Sequence, residues 1–231
     1  MAPTTKPVLT NALDRVVESV DAAVADIADG ASIMVAGFGG AGFPFALRDA
    51  LIRRGLQNIT IICNNADFGG LAYEGGLRRI ICSYPTGASA KQVVDGIEAG
   101  RIELLLTPQG TLVERIRAGG AGLGGVLTPT GLDTELERGY QRLELDGRTY
   151  LIAPALHADV AFVRAAVADR YGNLVMRNAG RNFAPLMAMA AQLTIAEAGQ
   201  IVEVGQIDPN VIHVPSAFVD RVVLVPATGA T

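Results

Sequence analysis

The stretch IMVAGFGGAGFP, residues 33–44, joins an apolar segment to a glycine turn and then to a proline at the start of a helix. Residues 32–36 are predicted to form a short buried strand, and Leu47 and Leu51 give the helix after Pro44 an apolar stripe. NITIIC, residues 58–63, is typical of a second buried strand. A strand, a helix and a further strand form a βαβ unit, in which the two strands are parallel. The segment therefore predicts an α/β fold.

The alternation of strands and helices continues along the chain. Strands are predicted at residues 77–82, 102–106, 160–166, 174–176, 193–196 and 222–225, and helices at 11–27, 89–99, 111–120 and 184–191. LELDGRTYLI, residues 143–152, predicts a hairpin with a type I′ turn at Asp146 and Gly147. Thr111 and Glu114 have the spacing of a capping box. No linker or repeat interrupts the pattern, so residues 1–231 are expected to form one domain.

Composition narrows the class of protein. Of the 231 residues, 50% are hydrophobic but only 5% are aromatic, and 27 are glycine, which indicates an aliphatic core interrupted by many turns. The net charge of -4 includes no basic block, which argues against nucleic acid as a partner. No apolar run approaches the length of about 20 residues that a membrane span needs, and the first residues lack the apolar core of a signal peptide. A soluble, cytoplasmic protein is expected, with Cys63 and Cys82 as reduced thiols and no metal site.

Three polar or glycine-rich segments follow predicted strands: GFGGAG at residues 37–42, NNAD at 64–67 and PQGT at 108–111. The carboxyl ends of parallel strands lie at one edge of a sheet, so these segments are predicted to converge. Glycines let a backbone approach a ligand closely, and the N-terminus of a following helix favours negative charge. GFGGAG also fits the dinucleotide fingerprint, but the next strand ends without the acidic residue that would bind the ribose. Another phosphate-bearing ligand is favoured, beside the alternative of a turn that binds nothing.

Gln109 lies between a predicted strand end and a helix N-terminus, where its amide could stabilise an oxygen that becomes negative during a reaction. The alternative is a polar loop residue that caps its own backbone, and the same alternative applies to Asn64 and Asn65. His157 and His213 have no Ser or Cys near them in a recognisable catalytic arrangement. The chain therefore has loops suited to an anion and no obvious nucleophile.

Several longer blocks resemble one family. DGASIMVAGFGGAGFP, NNA, TPQGTLVERIRAGGAGLGG and GRNFAPLMAMAA, together with the final HVPSAFVDRVV, are similar to the alpha (A) subunit of family I, 3-oxoacid-type CoA-transferases. The resemblance implies a mixed, largely parallel sheet with helices on both sides. It implies that the glycine loop binds CoA, that Gln109 stabilises the thioester oxyanion, and that Asn64 and Asn65 line the acyl site. The loop residues concerned are Ala36, Gly37, Phe38, Gly39, Gly40, Ala41 and Gly42.

The resemblance also implies where the missing nucleophile belongs. The family attacks with a glutamate followed by Asn-Gly on its beta subunit, and no Glu-Asn-Gly occurs in this chain. A beta-subunit partner is therefore expected, in a hetero-oligomer such as α2β2. CoA would arrive as an acyl-CoA substrate, and no permanently bound cofactor is expected. The expected reaction is ping-pong transfer of CoA from an acyl-CoA, such as succinyl-CoA, to a 3-oxo acid.

The blocks point to more than one substrate. CSYP at residues 82–85 and LHAD at 156–159 favour 3-oxoadipate, whereas GGAGLGGVLTPTG is typical of acetoacetate and short-chain fatty-acid transferases. The sequence departs from the family at Ala36, where glycine is usual, at Gly180, where alanine is common, and in a shorter DFGGLAYEGGL segment. A phosphosugar-binding or regulatory domain of the same architecture stays open as an alternative, because it too would use a glycine loop and polar strand ends.

Overall fold

The computed structural model describes residues 13–87 and 89–226. Its strands are β1 (Val16–Val17), β2 (Ser32–Val35), β3 (Ile59–Asn65), β4 (Leu77–Tyr84), β5 (Glu103–Leu106), β6 (Gly125–Thr128), β7 (Gln141–Leu145), β8 (Arg148–Pro154), β9 (Ala158–Asp169), β10 (Leu174–Val175), β11 (Ala191–Val202) and β12 (Arg221–Leu224). Its α-helices are α1 (Val20–Ala23), α2 (Phe45–Arg53), α3 (Gly69–Tyr73), α4 (Lys91–Glu98), α5 (Gln109–Gly120) and α6 (Ala184–Ala190).

Nine strands form one mixed sheet. Eight of them lie in the order β1-β12-β11-β9-β2-β3-β4-β5, and every neighbouring pair along this path is parallel. The ninth strand, β10, pairs antiparallel with β9. A separate antiparallel sheet has the order β6-β8-β7. The predicted α/β fold with a largely parallel, mixed sheet is confirmed.

Alternation along the buried strands sends successive side chains to two separate cores. Ile33 and Val35 of β2 belong to a core that also contains Leu47 and Leu51 of α2. Met34, between them in sequence, belongs to the second core, which contains residues of α5 and α6. The helices therefore cover both faces of the large sheet, as the resemblance implied.

Of the helix predicted at residues 11–27, only 20–23 are helical in the described part of the chain, as α1, and residues 11 and 12 lie outside that part. Val16 and Val17 instead form β1 at the edge of the large sheet, in register with β12. The Ser19 hydroxyl then caps α1 by accepting the Ala22 N–H at 3.1 Å. Branched valines suit a sheet edge, so strand pairing overrides the helical spacing of the apolar residues.

The predicted start of α5 is also wrong. The helix begins at Gln109, with Pro108 in the N-cap position, so Thr111 already lies inside its first turn. Glu114 does not close a capping box but forms an ion pair with Arg117 at 2.8 Å. Proline supplies a fixed φ at a helix start, which explains the earlier beginning. Gln109 is thereby the first helical residue.

The hairpin prediction is confirmed, and one strand beside it was missed. Asp146 and Gly147 have φ values of 52° and 70°, as a type I′ turn requires. Strand β6 pairs with the other side of β8. Its first residue, Gly125, packs closely against β8, since a Cβ there would lie 2.6 Å from the Ala153 carbonyl oxygen, and this contact explains a glycine inside the strand.

A search of the described residues for membrane-spanning helices found none of sufficient length and hydropathy.

Candidate functional site

The glycine loop is a tight turn at the end of β2. Phe38 and Ala41 exchange two backbone hydrogen bonds, of 3.1 and 3.0 Å. Gly39 and Gly40 form the tip with φ values of 55° and 87°, a conformation that a glycine adopts without steric cost. Nothing lies within 4 Å of the position that a Cβ would take on either residue. The tip is therefore shaped by backbone conformation, and the space around it is open.

Two asparagines from distant parts of the chain hold this loop in place. The Asn65 Oδ1 accepts the Gly39 N–H at 3.2 Å. The Asn182 Oδ1 accepts the Gly37 N–H at 3.1 Å, and its Nδ2 donates to the Ala41 carbonyl oxygen at 3.0 Å. Asn182 was not a candidate on sequence grounds, although it lies in the conspicuous GRNFAPLMAMAA block. Its polar side chain directly before an apolar helix was the signal that could have identified it.

Two departures from the family lie at this loop and fit its geometry: Ala36 at its start, and Gly180, which packs against its end. Ala36 continues the strand by donating its N–H to the Phe162 carbonyl oxygen at 3.0 Å. Gly42 packs on Gly180, and a Cβ on Gly42 would lie 2.4 Å from the Gly180 carbonyl oxygen. A Cβ on Gly180 would instead lie 3.5 Å from the Gly42 Cα, which is an ordinary contact. Either glycine or alanine therefore fits at position 180, whereas position 42 requires glycine.

The polar strand ends meet beside the loop, as predicted. Asn64 near the end of β3 is 3% exposed, and its Oδ1 accepts two hydrogen bonds, from Ser83 Oγ at 2.6 Å and from Gln109 Nε2 at 2.8 Å. The Asn64 Nδ2 donates to Asn65 Oδ1 at 2.7 Å. A cleft of about 400 Å³ opens here. Its lining residues are Phe38, Gly39, Asn64, Asn65, Ser83, Tyr84 and Gln109.

Gln109 also borders a second cleft. This cleft measures about 320 Å³ and is lined by Phe38, Gln109, Gly110, Val113, Asn182 and Phe183. The Gln109 side chain is exposed, and the hydrogen bond to Asn64 occupies one of its two amide N–H groups. Pro108 provides no side-chain cap to α5, and Gln109 and Gly110 of its first turn line the second cleft, so the uncapped positive end of the helix dipole lies beside that cleft. The arrangement suits an oxygen that carries negative charge.

The residues that line the two clefts include neither a carboxylate nor a histidine or cysteine, within the described part of the chain. Both cysteines are buried and free. Burial raises the pKa of Cys63 well above its ordinary value, and burial raises the pKa of Cys82 to about 11. Each thiol therefore stays protonated near neutral pH, and a protonated thiol is a poor nucleophile.

The two histidines do not reach these clefts. His213 accepts the N–H of Met176, the residue after β10, through its Nδ1 at 3.1 Å. His157 lies against Gly119, at the opposite end of α5 from Gln109. The described lining residues thus combine amide, hydroxyl and backbone donors, and the one serine among them, Ser83, has no histidine or carboxylate beside it in either lining to activate its hydroxyl.

The fold and site define an α/β protein with a glycine loop and an amide donor at the carboxyl edge of a parallel sheet, an arrangement of donors that suits an anion. A family model described as coenzyme A transferase matches residues 17–224. The A subunit of the 3-oxoadipate CoA-transferase of Pseudomonas putida is 46% identical over 95% of this chain and 97% of its own length. The alpha subunit of the acetate CoA-transferase of Escherichia coli K12 is 41% identical over 85% of this chain and 90% of its own.

Among solved structures, an acyl-CoA transferase of Escherichia coli O157:H7, in a thioester complex with CoA, superposes with a TM-score of 0.84 at 24% identity. The match covers 97% of this chain, which spans 50% of that protein's length. The chain therefore belongs to the coenzyme A transferase family. The resemblance found in the sequence is confirmed, and both curated relatives are named as A or alpha subunits.

Proposed function

We propose that this chain is the alpha subunit of a heteromeric CoA-transferase that moves CoA from an acyl-CoA to a 3-oxo acid, with 3-oxoadipate favoured as acceptor. The observation that carries the proposal is the site itself, which has a glycine loop and an amide donor side by side but neither a carboxylate nor a histidine or cysteine among its described lining residues. Such a site needs an attacking group from a partner chain. The names of the relatives as A subunits support a beta-subunit partner.

In the proposed reaction, a glutamate carboxylate of the beta chain attacks the thioester carbonyl carbon of the donor. The carbonyl oxygen takes up the electron pair, and the free N–H of Gln109 stabilises this oxyanion. Collapse expels CoA as a thiolate and leaves a mixed anhydride. The thiolate then attacks the glutamyl carbonyl carbon, which releases the donor acid as a carboxylate and leaves CoA bound to the glutamate as a thioester. Reversal with the acceptor acid completes the transfer.

The described residues suggest roles on the alpha side. The open tip at Gly39 and Gly40, within the loop from Ala36 to Gly42, would let the CoA thioester approach the backbone closely. Asn64 and Asn65 border the cleft into which the acyl group would extend. The exposed aromatic side chains of Phe38 and Tyr84 flank the same cleft, where they can cover the acyl chain.

The first test is intact-mass spectrometry of both subunits after incubation with succinyl-CoA and then borohydride. Borohydride reduces a glutamyl thioester to an alcohol, which removes one oxygen and adds two hydrogens relative to the free glutamic acid. We expect this change only on the beta subunit, and only when both subunits are present. Modification of neither chain with several acyl-CoAs would favour the phosphosugar-binding alternative.

The role of Gln109 is tested separately by Gln109→Ala. We expect the kcat to fall about 100-fold to 1000-fold, which is typical for the loss of one oxyanion donor. Gln109→Glu is the matched control, since it keeps the size of the side chain but replaces the donor by a carboxylate, and it should be at least as slow. Unchanged turnover in Gln109→Ala would refute the role.

The acceptor is determined by comparing kcat/KM for 3-oxoadipate, acetoacetate and acetate. Relatives at 46% and 43% identity are named as A subunits of 3-oxoadipate CoA-transferases, which supports the first of these acids. The A subunit of a succinyl-CoA:3-ketoacid coenzyme A transferase of Xanthomonas campestris, at 44% identity, supports the second. We expect 3-oxoadipate to give the highest value, and a higher value for acetoacetate or acetate would reassign the substrate.

A further inference from the structure

The hydrogen bonds around Gln109 form a chain whose direction is set at the glycine loop. Gly39 contributes a backbone N–H, which can only donate, so the side-chain atom of Asn65 that faces it must be the carbonyl oxygen. That same oxygen lies 2.7 Å from Asn64, which must therefore present its NH2 group. The orientation of both asparagine amides thus follows from one backbone donor.

The next contact carries this constraint to Gln109. Because the NH2 group of Asn64 is directed to Asn65, its Oδ1 faces Gln109. Gln109 must therefore donate from its Nε2, which lies 2.8 Å from that oxygen. A flipped Gln109 would set its carbonyl oxygen against the oxygen of the buried Asn64 and remove one of the two hydrogen bonds which that oxygen accepts, which is unfavourable. The amide of Gln109 is therefore held as a donor, and its second N–H remains for a ligand.

Ser83 completes this arrangement from β4. Its hydroxyl donates to the Asn64 Oδ1 at 2.6 Å, so this oxygen accepts two hydrogen bonds and both of its lone pairs are used. Asn64 is 3% exposed, and water therefore has little access to replace either donor. Ser83 thus restrains the very oxygen to which Gln109 is bound.

We propose that Ser83 and Asn65 are positioning residues that hold Asn64, and through it Gln109, in the one orientation suited to oxyanion stabilisation. This inference rests on the proposed function, in which Gln109 is the oxyanion donor. It also gives Asn64 a different task from lining the acyl site, because its side-chain amide is engaged by Ser83, Gln109 and Asn65.

The test measures kcat and KM of the complete enzyme, with its beta subunit, for Ser83→Ala and Ser83→Thr. Removing one hydrogen bond to Asn64 should lower the kcat about tenfold and leave the KM for the acyl-CoA within about twofold, since the interaction is realised in the transition state. Ser83→Thr keeps the hydroxyl and should restore the kcat. A rise in KM with unchanged kcat would overturn the positioning role and indicate contact with substrate.

A double-mutant cycle separates positioning from a general structural effect. In the Gln109→Ala background, Ser83→Ala should cause no further loss of kcat, because the group that it positions is gone. A full tenfold loss in that background would overturn the inference. Asn65→Ala removes the other contact of Asn64 and should likewise cause no further loss of kcat in the Gln109→Ala background, but it also releases the Gly39 N–H and should therefore raise the KM for acyl-CoA. Thermal unfolding of each variant shows whether the enzyme is folded at the assay temperature.

The outcomes for the two proposals differ. If Gln109→Ala leaves the kcat unchanged, the assignment of Gln109 in the proposed function fails. If Gln109→Ala slows the enzyme but Ser83→Ala and Asn65→Ala either have no effect or act independently of it, the proposed function stands and the positioning role fails.

Discussion

Two glycine-rich segments of this chain look alike in sequence but use glycine for opposite reasons. At Gly39 and Gly40, in GFGGAG, the backbone is left-handed and the space for a side chain is empty. At Gly119 and Gly120, in GGAGLGG, the glycines lie inside helix α5, and a Cβ would lie 2.0 Å from the Leu156 carbonyl oxygen and 2.6 Å from the Met189 Cβ, respectively. The first segment uses conformational freedom, and the second uses close packing.

The difference matters because both segments position the same site. The first forms the glycine loop directly, whereas the second lets the far end of α5 pack against α6 and the segment before β9. The Leu156 N–H also donates to the Arg115 carbonyl oxygen at 2.9 Å. With its far end packed in this way, α5 places Gln109 at its N-terminus beside the clefts. An open turn and a close-packed helix therefore meet at one cleft.

Among substitutions that test this difference between the two segments, Gly119→Ala is expected to have the largest effect on stability. Gly119→Ala places a Cβ against a backbone carbonyl oxygen that cannot move aside without shifting the chain. We expect the free energy of unfolding to fall by about 3 kcal/mol, the upper part of the range for overpacking. For a chain of this size that loss lowers the Tm by roughly 6–12 °C in a calorimetric scan.

The matched control is Gly110→Ala in the first turn of the same helix. Nothing lies within 4 Å of its Cβ position, so alanine should be neutral or should stabilise α5 by up to about 1 kcal/mol. If both substitutions lower the Tm equally, the close contact at Gly119 is not what constrains this segment.

A smaller loss of stability is expected at Gly42, where glycine serves both a left-handed backbone conformation and a close contact. Its φ is 70°, and a Cβ would also lie 2.4 Å from the Gly180 carbonyl oxygen. Gly42→Ala should lower the free energy of unfolding by about 2 kcal/mol, because the contact lies in a loop that can shift more easily than a packed helix. Gly180→Ala is the control, since its Cβ makes an ordinary contact, and a comparable loss there would contradict the assignment.

Much of the fold follows from local rules that the sequence obeys. The βαβ unit around GFGGAG and the Asp146-Gly147 turn were predicted because short-range spacing and turn chemistry determine them. Strand β1 was missed because its partner, β12, lies about 200 residues away in sequence, as the register of Val16 with Val222 shows. Pairing at that distance leaves no signal in the local pattern.

The candidate site was predictable to a similar degree. The convergence of Asn64, Asn65 and Gln109 followed from the rule that parallel strands present their carboxyl ends together. The partnership of Asn64 with Ser83 did not, because it depends on the register that sets Asn65 opposite Tyr84. Asn182 reaches the loop from 145 residues away. Such contacts are fixed by tertiary packing, which a sequence pattern does not encode.

The smallest effect on stability, and the sharpest test of the comparison, is expected at Gly40. Its Cβ position is open, so Gly40→Ala adds only the strain of a φ of 87°, which costs about 1 kcal/mol for an L-residue. If the open space receives the CoA thioester, as proposed, the added methyl group should raise the KM for acyl-CoA severalfold while the Tm falls by only roughly 2–4 °C.

Gly100→Ala is the control for strain alone. Its φ is 69°, its Cβ position is also open, and it lies after α4, away from the lining residues of the clefts. An equal Tm loss in both variants with a raised KM only in Gly40→Ala would show that the glycine loop is open for a ligand. A raised KM in neither variant would mean that its glycines serve the turn alone.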